Sequence, residues 1–260
     1  EALDEFYYWQ QAVFGRWIAR VRGRIHNGRE TNTEEVHVEF KEKQSNEIEE
    51  HHFETFPVSS DRTPCRVNYA EWQILIFNLS GHMGGKIKVD DVRDYFQRFG
   101  GVGLYDETFR LPYYGPDQDW LGIELDHSHR RVRSKLLPDE MHEERALNEL
   151  PTQGRILGAV FVSTAQEASH APDSTGSHSA ETAPQEYLRI QVTRDRLVWN
   201  QAYQQLRDAV RRSLDWYAVL ARQRRLRTAR ESRPNESPTS KLEQLNTVIS
   251  AYEDRLPAEA

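Results

Sequence analysis

Cysteine is nearly absent from this sequence, because Cys65 is the single cysteine among 260 residues. One thiol excludes a disulfide bond within the chain, and such a low cysteine content is typical of proteins from a reducing compartment. We interpret Cys65 as a packed or half-exposed thiol rather than as a nucleophile.

Long apolar runs are also missing. No run approaches the roughly 18 to 20 residues that a membrane-spanning helix requires, and no signal peptide is visible. These absences predict a soluble, cytoplasmic protein with no membrane partner. The chain begins with Glu1 rather than methionine, so we expect it to be a fragment or a processed product.

Positive charge is in deficit, with 34 basic against 41 acidic residues and a net charge of −7. This balance argues against a protein whose whole surface binds nucleic acid or anionic membrane. Basic patches remain as local features. The length is sufficient to bury a proper core, either as one large domain or as a domain with appendages.

The N-terminal quarter of the chain shows two patterns. Apolar residues near one face and arginines near another predict an amphipathic helix over residues 2–22. Residues 29–54 are rich in glutamate, which is typical of a solvated face or a poorly ordered loop, with one short edge strand over residues 36–40. His51 and His52 are adjacent, so on an extended chain they point to opposite faces and predict no metal site.

A strand, a helix and a strand follow one another between Trp72 and Glu107. Residues 72–79 have the composition of a strand that is buried on both faces. Asp90 is predicted to cap a helix that ends at Gly100, and a strand over residues 102–107 follows at once. This order predicts a βαβ crossover unit, which is ordinarily right-handed.

Two more strands, a loop and a long helix are predicted in the C-terminal half. Residues 155–164 have the composition of a buried strand, whereas residues 164–186 have almost nothing to bury and predict a disordered loop. A strand over residues 188–192 leads to Asn200. This asparagine is a natural N-cap for a long helix over residues 201–230.

These patterns divide the chain into three parts. Residues 1–67 hold the N-terminal helix and the acidic connecting segment, residues 68–230 form an α/β domain, and residues 231–260 form a linker with a short C-terminal helix. The predicted fold class is α/β (α+β). Its mixed sheet contains the βαβ unit and is covered by the long helix, with the N-terminal helix added.

The stretch from Gly101 to Leu125 carries most of the recognisable information. Two short runs with strand composition flank a segment with the turn chemistry of two prolines, a glycine and two aspartates. The Pro-Tyr-Tyr-Gly-Pro sequence at its centre favours a rigid, extended excursion, because proline fixes φ and glycine tolerates angles that other residues avoid. The motif residues are Phe109, Arg110, Tyr114, Gly115, Asp119, Trp120, Leu121 and Gly122.

This motif resembles one in bacterial ATP-binding proteins of the GHKL type, the superfamily of DNA gyrase B, the MutL mismatch-repair protein, the ninety-kilodalton heat-shock chaperone and the MORC proteins. In these relatives the motif lies in the second, transducer-like domain, downstream of the nucleotide-binding domain. The resemblance covers about residues 68–221 and implies a transducer-like fold with a left-handed βαβ crossover. Relatives carry Asn-Gly or Asp-Gly before the Phe-Arg pair, where this chain has Glu107-Thr108, which favours a tight turn less.

The resemblance also assigns a role to one arginine. In gyrase-like relatives a Gln-Thr-Lys loop joins the transducer strand to a helix, and its lysine reaches the γ-phosphate of the nucleotide. The segment Val192-Thr193-Arg194 looks like this loop with arginine in place of lysine. This implies that Arg194, the one catalytic candidate, is a γ-phosphate sensor. The alternative, an exposed arginine that is paired with a carboxylate, remains open.

No part of the sequence resembles the nucleotide cleft itself. It has no Asn-rich helix with a catalytic glutamate, no Asp-x-Gly-x-Gly and no glycine-rich lid. We therefore expect no ATP hydrolysis by this chain alone and no cofactor in it, while the resemblance implies ATP with Mg²⁺ in a nucleotide-binding domain that the chain lacks. No metal site is predicted, since His127 and His129 have no third and fourth ligand at a suitable spacing.

Two basic clusters favour a different interpretation. They are candidates for binding nucleic acid or an acidic partner, although a solvated loop and the complementation of a helix dipole explain such charges as well. The residues of the clusters are Arg130, Arg131, Arg133, Lys135, Arg222, Arg224, Arg225 and Arg227.

Two functions of different classes follow. The first, implied by the resemblance, is the coupling (transducer) domain of a GHKL-type ATPase. Its partners would be an N-terminal GHKL nucleotide-binding domain, a second copy in a homodimer, and DNA, in DNA transactions or in defence against foreign DNA such as that of phages. The second is a stand-alone module that binds nucleic acid or protein through the basic clusters. No set of nucleophile, base and orienting residue can be identified for an independent enzyme.

Overall fold

The structure is a computed structural model that describes residues 13–42, 47–60, 63–79, 88–169 and 186–231. Within these ranges the strands are β1 (Trp17–His26), β2 (Thr33–Lys41), β3 (Ile48–Pro57), β4 (Tyr69–Phe77), β5 (Gly101–Asp106), β6 (Phe109–Leu111) and β7 (Ile156–Val162). The helices are α1 (Gly28–Thr31), α2 (Val89–Phe99), α3 (Ile123–Ser128), α4 (Thr164–Ser169) and α5 (Gln201–Glu231). Short 3₁₀ turns lie at Phe14–Arg16, Asp139–Met141, Ala146–Glu149 and Gln153–Arg155.

The seven strands form one mixed sheet in the order β3-β2-β1-β4-β7-β5-β6. Neighbouring strands are antiparallel, except that β5 and β7 run parallel. Successive side chains of a strand point to opposite faces, so each strand contributes to both faces of the sheet. The predicted fold class, an α+β protein with a mixed sheet and a long C-terminal helix, is confirmed.

The long helix α5 covers one face of the sheet. It contacts β1, β2 and the Ala146–Glu149 turn, and nearly every side chain from Ala202 to Leu220 is buried. Trp72 Nε1 of β4 donates a hydrogen bond of 3.0 Å to Ser213 Oγ of α5 in this core. A helix that is buried around most of its circumference is part of the interior rather than a surface element.

The opposite face of the sheet is only partly covered. At one end α2 packs Val92 and Phe96 against Phe77 of β4, with the Phe77 and Phe96 ring centroids 4.9 Å apart. Elsewhere this face carries exposed side chains such as Arg24 of β1 and Phe161 of β7. The two faces are therefore unequal, with one apolar and buried and the other largely exposed to solvent.

The predicted order of strand, helix and strand around α2 is confirmed, but its geometry differs from a βαβ crossover between parallel neighbours. Strand β7 lies between β4 and β5, and it is antiparallel to β4 and parallel to β5. Strands β4 and β5 therefore run antiparallel, and the handedness rule for parallel crossovers does not apply to them. The predicted cap of α2 is also wrong, because the N-cap is Lys88 rather than Asp90, and Asp91 in the first turn accepts the hydrogen bond from Lys88 N at 3.1 Å.

The predicted N-terminal helix is wrong for residues 17–22, because they belong to β1. Val13, Trp17 and Val21 are four residues apart, and an even spacing places side chains on one face of a strand as well as of a helix. The alternation of Ala19 and Val21 with arginines between them decides for the strand. Residues 1–12 of the predicted helix lie outside the described residues.

The prediction that the acidic residues 29–54 form a solvated face or a poorly ordered loop is also wrong, since this segment supplies β2 and most of β3. Strand β2 is no edge strand but pairs with both β1 and β3. Its buried carboxylates have cationic partners: Glu34 accepts from Arg212 Nε at 2.6 Å, and Glu39 is paired with Arg20 and Arg22. Paired charges can be buried in a sheet where unpaired ones cannot. The same sheet continues into β4, without a break at the predicted boundary between residues 67 and 68.

The predicted loop over residues 164–186 begins with a helix instead. In α4 the side chain of Glu167 is fully buried and accepts hydrogen bonds from Asn68 N at 2.7 Å and Tyr69 N at 2.9 Å. It also pairs with Arg29 at 2.7 Å. Glu167 thus gives an otherwise polar segment a fixed place beside β4, while residues 170–185 lie outside the described residues.

The strand predicted over residues 188–192 forms only a narrow hairpin. A single β-bridge joins Ile190 to Leu197, and Gln191 N donates to Arg196 O at 2.8 Å. The long helix after it is confirmed, with Asn200 as its N-cap, because Asn200 Oδ1 accepts from Tyr203 N at 3.0 Å. The predicted linker and short helix after Glu231 lie outside the described residues.

Candidate functional site

The hairpin of β5 and β6 presents the start of the motif. Its two-residue turn is Glu107-Thr108, and Glu107 adopts the left-handed region at φ 54°. Strand β7 holds this turn, because Glu107 N donates to Val162 O at 2.8 Å and Ser163 Oγ donates to Glu107 Oε1 at 3.1 Å. Contacts of this kind stabilise a backbone conformation that is unfavourable for a residue other than glycine. The chain therefore makes the tight turn without Asn-Gly or Asp-Gly.

Two aromatic residues of the motif hold the excursion in place. Tyr114 and Trp120 are buried, with ring centroids 5.2 Å apart. Trp120 Nε1 donates to Val102 O at 2.8 Å, and Tyr114 Oη accepts a hydrogen bond from Leu197 N at 3.2 Å. Burial raises the pKa of Tyr114 to about 12, so its hydroxyl is neutral at physiological pH. The rings fasten the motif to β5 and to the segment before α5.

Asp119 sets the start of the short helix α3. Its Oδ1 accepts hydrogen bonds from Ile123 N at 2.7 Å and Gln153 Nε2 at 3.1 Å, and its Oδ2 accepts one from Leu125 N at 3.0 Å. Gly122 has φ 70°, a region in which glycine is not strained. Because both oxygens of Asp119 are occupied by the fold, this carboxylate is a capping group and not a catalytic one.

Of the remaining motif residues, Phe109 and Arg110 of β6 are exposed, whereas Gly115 is buried. Phe109 is 53% exposed. Arg110 Nη2 donates to Tyr114 O at 3.4 Å and passes close over Gly115, where a Cβ atom would lie 2.8 Å from that nitrogen. Gly115 thus leaves room for the guanidinium.

Arg211 of α5 joins the end of the motif to the core. Its Nη1 donates to Leu121 O at 3.0 Å and to Gly122 O at 3.1 Å. Its Nη2 pairs with Asp126 and its Nε with Asp215, each at 2.7 Å. The only sequence signal for this role is the spacing of Arg211 and Asp215, four residues apart on a helix, and exposed helices carry the same spacing.

Two further contacts extend this buried charge cluster to the basic segment after α3. Ser134 Oγ donates to Asp215 Oδ2 at 2.6 Å, and Arg131 pairs with Asp126 at 3.0 Å. Burial raises the pKa of Asp215, an effect that Arg211 and Ser134 oppose. The motif, the basic segment and α5 are therefore connected through charge-assisted hydrogen bonds.

These three segments enclose a cleft of about 420 Å³. Its lining includes Asp119, Trp120, Leu121 and Gly122 of the motif, Arg131, Arg133 and Lys135 of the basic segment, and Trp199, Tyr203, Arg207, Asp208, Arg211 and Asp215 at or within α5. The structure thus brings together two stretches that the sequence presents as separate candidates. Arg130 lies apart from them, in a neighbouring hollow.

Arg194 lies at the tip of the narrow hairpin before α5. Its backbone is left-handed at φ 56°, and its exposed side chain makes no hydrogen bond or ion pair with any described residue. Arg196, two positions on, is held in contrast: it pairs with Asp195 and lies 4.2 Å from the centroid of the Tyr113 ring. The hairpin is fastened to the motif, since Tyr113 N donates to Asp195 O at 3.0 Å.

The second basic cluster is paired within the molecule. Arg222 and Arg225 reach Glu149 at 3.7 Å and 2.9 Å. On the other side of the helix, Arg224 pairs with Glu49, and both Arg224 and Arg227 pair with Glu50 of β3. These ion pairs fasten the end of α5 to the sheet and to the Ala146–Glu149 turn.

Within the described ranges, no group of three or more histidine, cysteine, aspartate or glutamate side chains is arranged to hold a metal ion. No helix in the same ranges combines the length and the apolar character needed to cross a lipid bilayer. Comparison of the chain with protein-family models, curated proteins and solved structures finds no significant match.

Proposed function

We propose that this chain is the coupling module of a GHKL-type ATPase, in which Arg194 contacts the γ-phosphate of a nucleotide held by another domain. The observation that carries the proposal is the state of Arg194. Arg194, which has no hydrogen-bond or ion-pair partner among the described residues, lies at the tip of a hairpin that leads directly into the long helix α5. A guanidinium in this position is free to bind phosphate oxygens in a bidentate manner.

The hairpin has contacts through which a change at its tip can reach the rest of the molecule. Its base is bridged from Ile190 to Leu197, and Asn200 Oδ1 caps α5 by accepting from Tyr203 N. Leu197 N also donates to the buried Tyr114 of the motif. A phosphate bound at Arg194 would therefore displace α5 and the motif together, because both contact the hairpin. The same contacts give Arg194 the rigid support that a charge-stabilising group requires.

The far end of α5 supplies the output in this proposal. There Arg227 is paired with Glu50 of β3, and Arg225 with Glu149. Exposed ion pairs are individually weak, so a small displacement of the helix can exchange them. The coupling thus runs from the tip of the hairpin, along a helix buried in the core, to the contacts between that helix and the edge of the sheet.

The pairing of the second basic cluster favours coupling over the alternative of a stand-alone nucleic-acid or protein-binding module. Arg222, Arg224, Arg225 and Arg227 each have a glutamate partner in the fold, and binding to phosphates would require these pairs to be broken. Nucleic-acid affinity depends on cations that can neutralise phosphates.

The proposal includes partners and a setting. The nucleotide-binding domain would hold ATP with Mg²⁺, the chain itself would not hydrolyse ATP, and DNA or a second copy of the protein would receive the signal in the cytoplasm.

The test is to replace Arg194 in the full-length protein and to measure ATP turnover. We expect Arg194→Ala to reduce turnover by roughly ten- to a thousandfold, the range for loss of one charge-stabilising donor. The melting temperature should hardly change, because an exposed cation contributes little to stability. Arg194→Lys, which keeps the charge but loses the planar fork, should retain part of the turnover.

Arg196→Ala is the matched control on the same hairpin, since its side chain is held by Asp195 and Tyr113. The fold-loss of ATP turnover in this variant should be at least ten times smaller than the fold-loss in Arg194→Ala. Equal effects of the two substitutions, or a full-length protein without ATPase activity, would contradict the proposal.

A further inference from the structure

We propose that the cleft between the motif, the basic segment and α5 is a binding site for a mononucleotide, a ligand that combines a flat aromatic ring with a phosphate. This inference rests on the cleft alone and does not depend on the coupling function. The cleft measures about 420 Å³, and small-molecule sites in proteins are typically about 300 to 1,000 Å³.

Part of the lining of the cleft is aromatic. Trp199 is 64% exposed, and among the tryptophans that the structure describes it is the exposed one. Tyr203 supports the indole from one side, with ring centroids 5.1 Å apart, and the Arg207 guanidinium lies 5.6 Å from the indole centroid. An exposed indole that is held in place by its neighbours is a stacking surface for a planar base, and such stacking is sequence-tolerant.

Another part of the lining is cationic, and its charge is little used by contacts with the described residues. Lys135 has no hydrogen-bond or ion-pair partner among the described residues. Arg133 has only a contact of 3.4 Å to Asp139, whose side chain is 89% exposed. An exposed pair of this kind contributes little and exchanges readily, so both cations are available to an anion.

The carboxylates of the cleft leave positive charge in excess, because the lining holds five cations and four carboxylates and three of those carboxylates are in ion pairs. Asp126 and Asp215 pair with the buried Arg211. Asp208 accepts from both Nε and Nη2 of Arg207, at 3.0 Å and 2.8 Å, and Asp119 caps α3. The charge left for a ligand is therefore positive and lies on the basic segment, which is the arrangement that a phosphate requires.

Buried hydrogen bonds hold the walls of the cleft in place. Arg211 holds the backbone carbonyls of Leu121 and Gly122, and Ser134 donates to Asp215 at 2.6 Å. The motif wall and the basic wall are thus tied to the same helix that carries Tyr203. A preformed cleft with converging aromatic and cationic groups loses less entropy on binding than one that must assemble.

The experiment is calorimetric titration of the 260-residue chain with AMP, and with adenosine and inorganic phosphate as the two halves of the ligand. We expect AMP to bind and each half to bind at least about tenfold more weakly, because each half engages only the aromatic or only the cationic part of the lining. Trp199→Ala and Lys135→Ala should each weaken AMP binding by about fivefold or more, in keeping with the loss of one stacking or charge contact.

Two matched controls lie outside the cleft. Arg130→Ala removes an exposed cation of the neighbouring hollow, and Phe109→Ala removes an exposed ring of β6. Both should leave AMP affinity within about twofold of the parent chain, and so should Arg194→Ala, which separates this site from the γ-phosphate sensor. The proposal is overturned if AMP at millimolar concentration gives no binding, or if Arg130→Ala weakens binding as much as Lys135→Ala does.

Discussion

Arg211 shows how one side chain decides whether a loop is part of the core. It binds two carbonyls of the motif and two carboxylates, and all of these contacts are 3.1 Å or shorter. Its spacing of four residues from Asp215 does not distinguish this role, because exposed helices carry the same spacing and arginine in a helix is usually solvent-exposed. The motif residues around it were found from the sequence, whereas the residue that holds them was not.

Removal of this arginine should be strongly destabilising. We expect Arg211→Ala to lower the free energy of unfolding by roughly 3–5 kcal/mol, because Asp126 and Asp215 lose their common buried partner. Urea unfolding followed by circular dichroism measures the loss. Arg207→Ala, one turn earlier on α5 and half-exposed, should cost less than about 1 kcal/mol, and similar losses in the two variants would show that Arg211 is not the fastening residue.

Cys65 is expected to be chemically inert in the folded protein. It is 7% exposed and its Sγ lies 3.3 Å from Val67 O. Burial raises the pKa of this thiol to about 11 from a reference value of 9.0, which lowers the thiolate fraction at pH 7 about a hundredfold. Iodoacetamide should therefore label native Cys65 at least about a hundredfold more slowly than the urea-unfolded chain, and rapid native labelling would show that the thiol is accessible.

At the scale of elements, two of the wrong predictions share a physical cause. Strand β2 is rich in glutamate and helix α4 has almost nothing apolar to bury, so composition alone assigns both segments to solvent. Their charges are instead matched by distant partners: Glu34 by Arg212, 178 residues away, and Glu167 by Arg29, 138 residues away. Pairing over such distances is set by the tertiary fold, so it cannot be inferred from local pattern.

The elements that were predicted correctly carry local signals. Helix α5 has an asparagine at its N-cap and a long apolar stripe, and β4 and β7 are rich in apolar residues. The two strands were predicted in the right places, but the prediction that they are fully buried is wrong, because Glu71 and Gln73 of β4 and Phe161 of β7 are exposed. These signals act within a few residues of chain. The tight turn at Glu107 is an intermediate case, because contacts with Val162 and Ser163 hold a turn that its own residues do not favour.

The helix α4 provides a test of such long-range pairing. We expect Glu167→Ala to lower the free energy of unfolding by roughly 3–5 kcal/mol, since the amides of Asn68 and Tyr69 lose their acceptor and Arg29 loses its partner. Ser169→Ala, on the exposed end of the same helix, should cost less than about 0.5 kcal/mol. Thermal unfolding measures both, and a small effect of Glu167→Ala would mean that α4 does not depend on its buried carboxylate.

At the scale of the whole molecule, one apolar core extends from Ala19 of β1 to Leu220 of α5. It includes buried residues from the N-terminal strands, such as Val36 and Phe56, which contact the same helix as the later strands do. The division between residues 1–67 and 68–230 was drawn from composition. The structure places a continuous sheet across it, because composition does not report which strands will pair.

Residues 68–231 alone should therefore fail to fold cooperatively. Without β1, β2 and β3, strand β4 loses its partner on one side and α5 loses much of the apolar surface that it covers. We expect differential scanning calorimetry to show no cooperative transition for this fragment and a cooperative one for the 260-residue chain. A fragment that unfolds in a sharp transition would show that the C-terminal part is an independent domain.

The two edge strands of the sheet, β3 and β6, affect how readily the protein aggregates at high concentration. An open edge strand is a template on which another copy can add a strand, and this is a common start of aggregation. Here β6 is only three residues long, and β3 carries Glu49, Glu50 and Glu54 along its length. Glu49 and Glu50 already pair with Arg224 and Arg227, so a second copy that approached β3 would have to bury or displace charged groups, and this cost opposes edge-to-edge growth of the sheet into fibres.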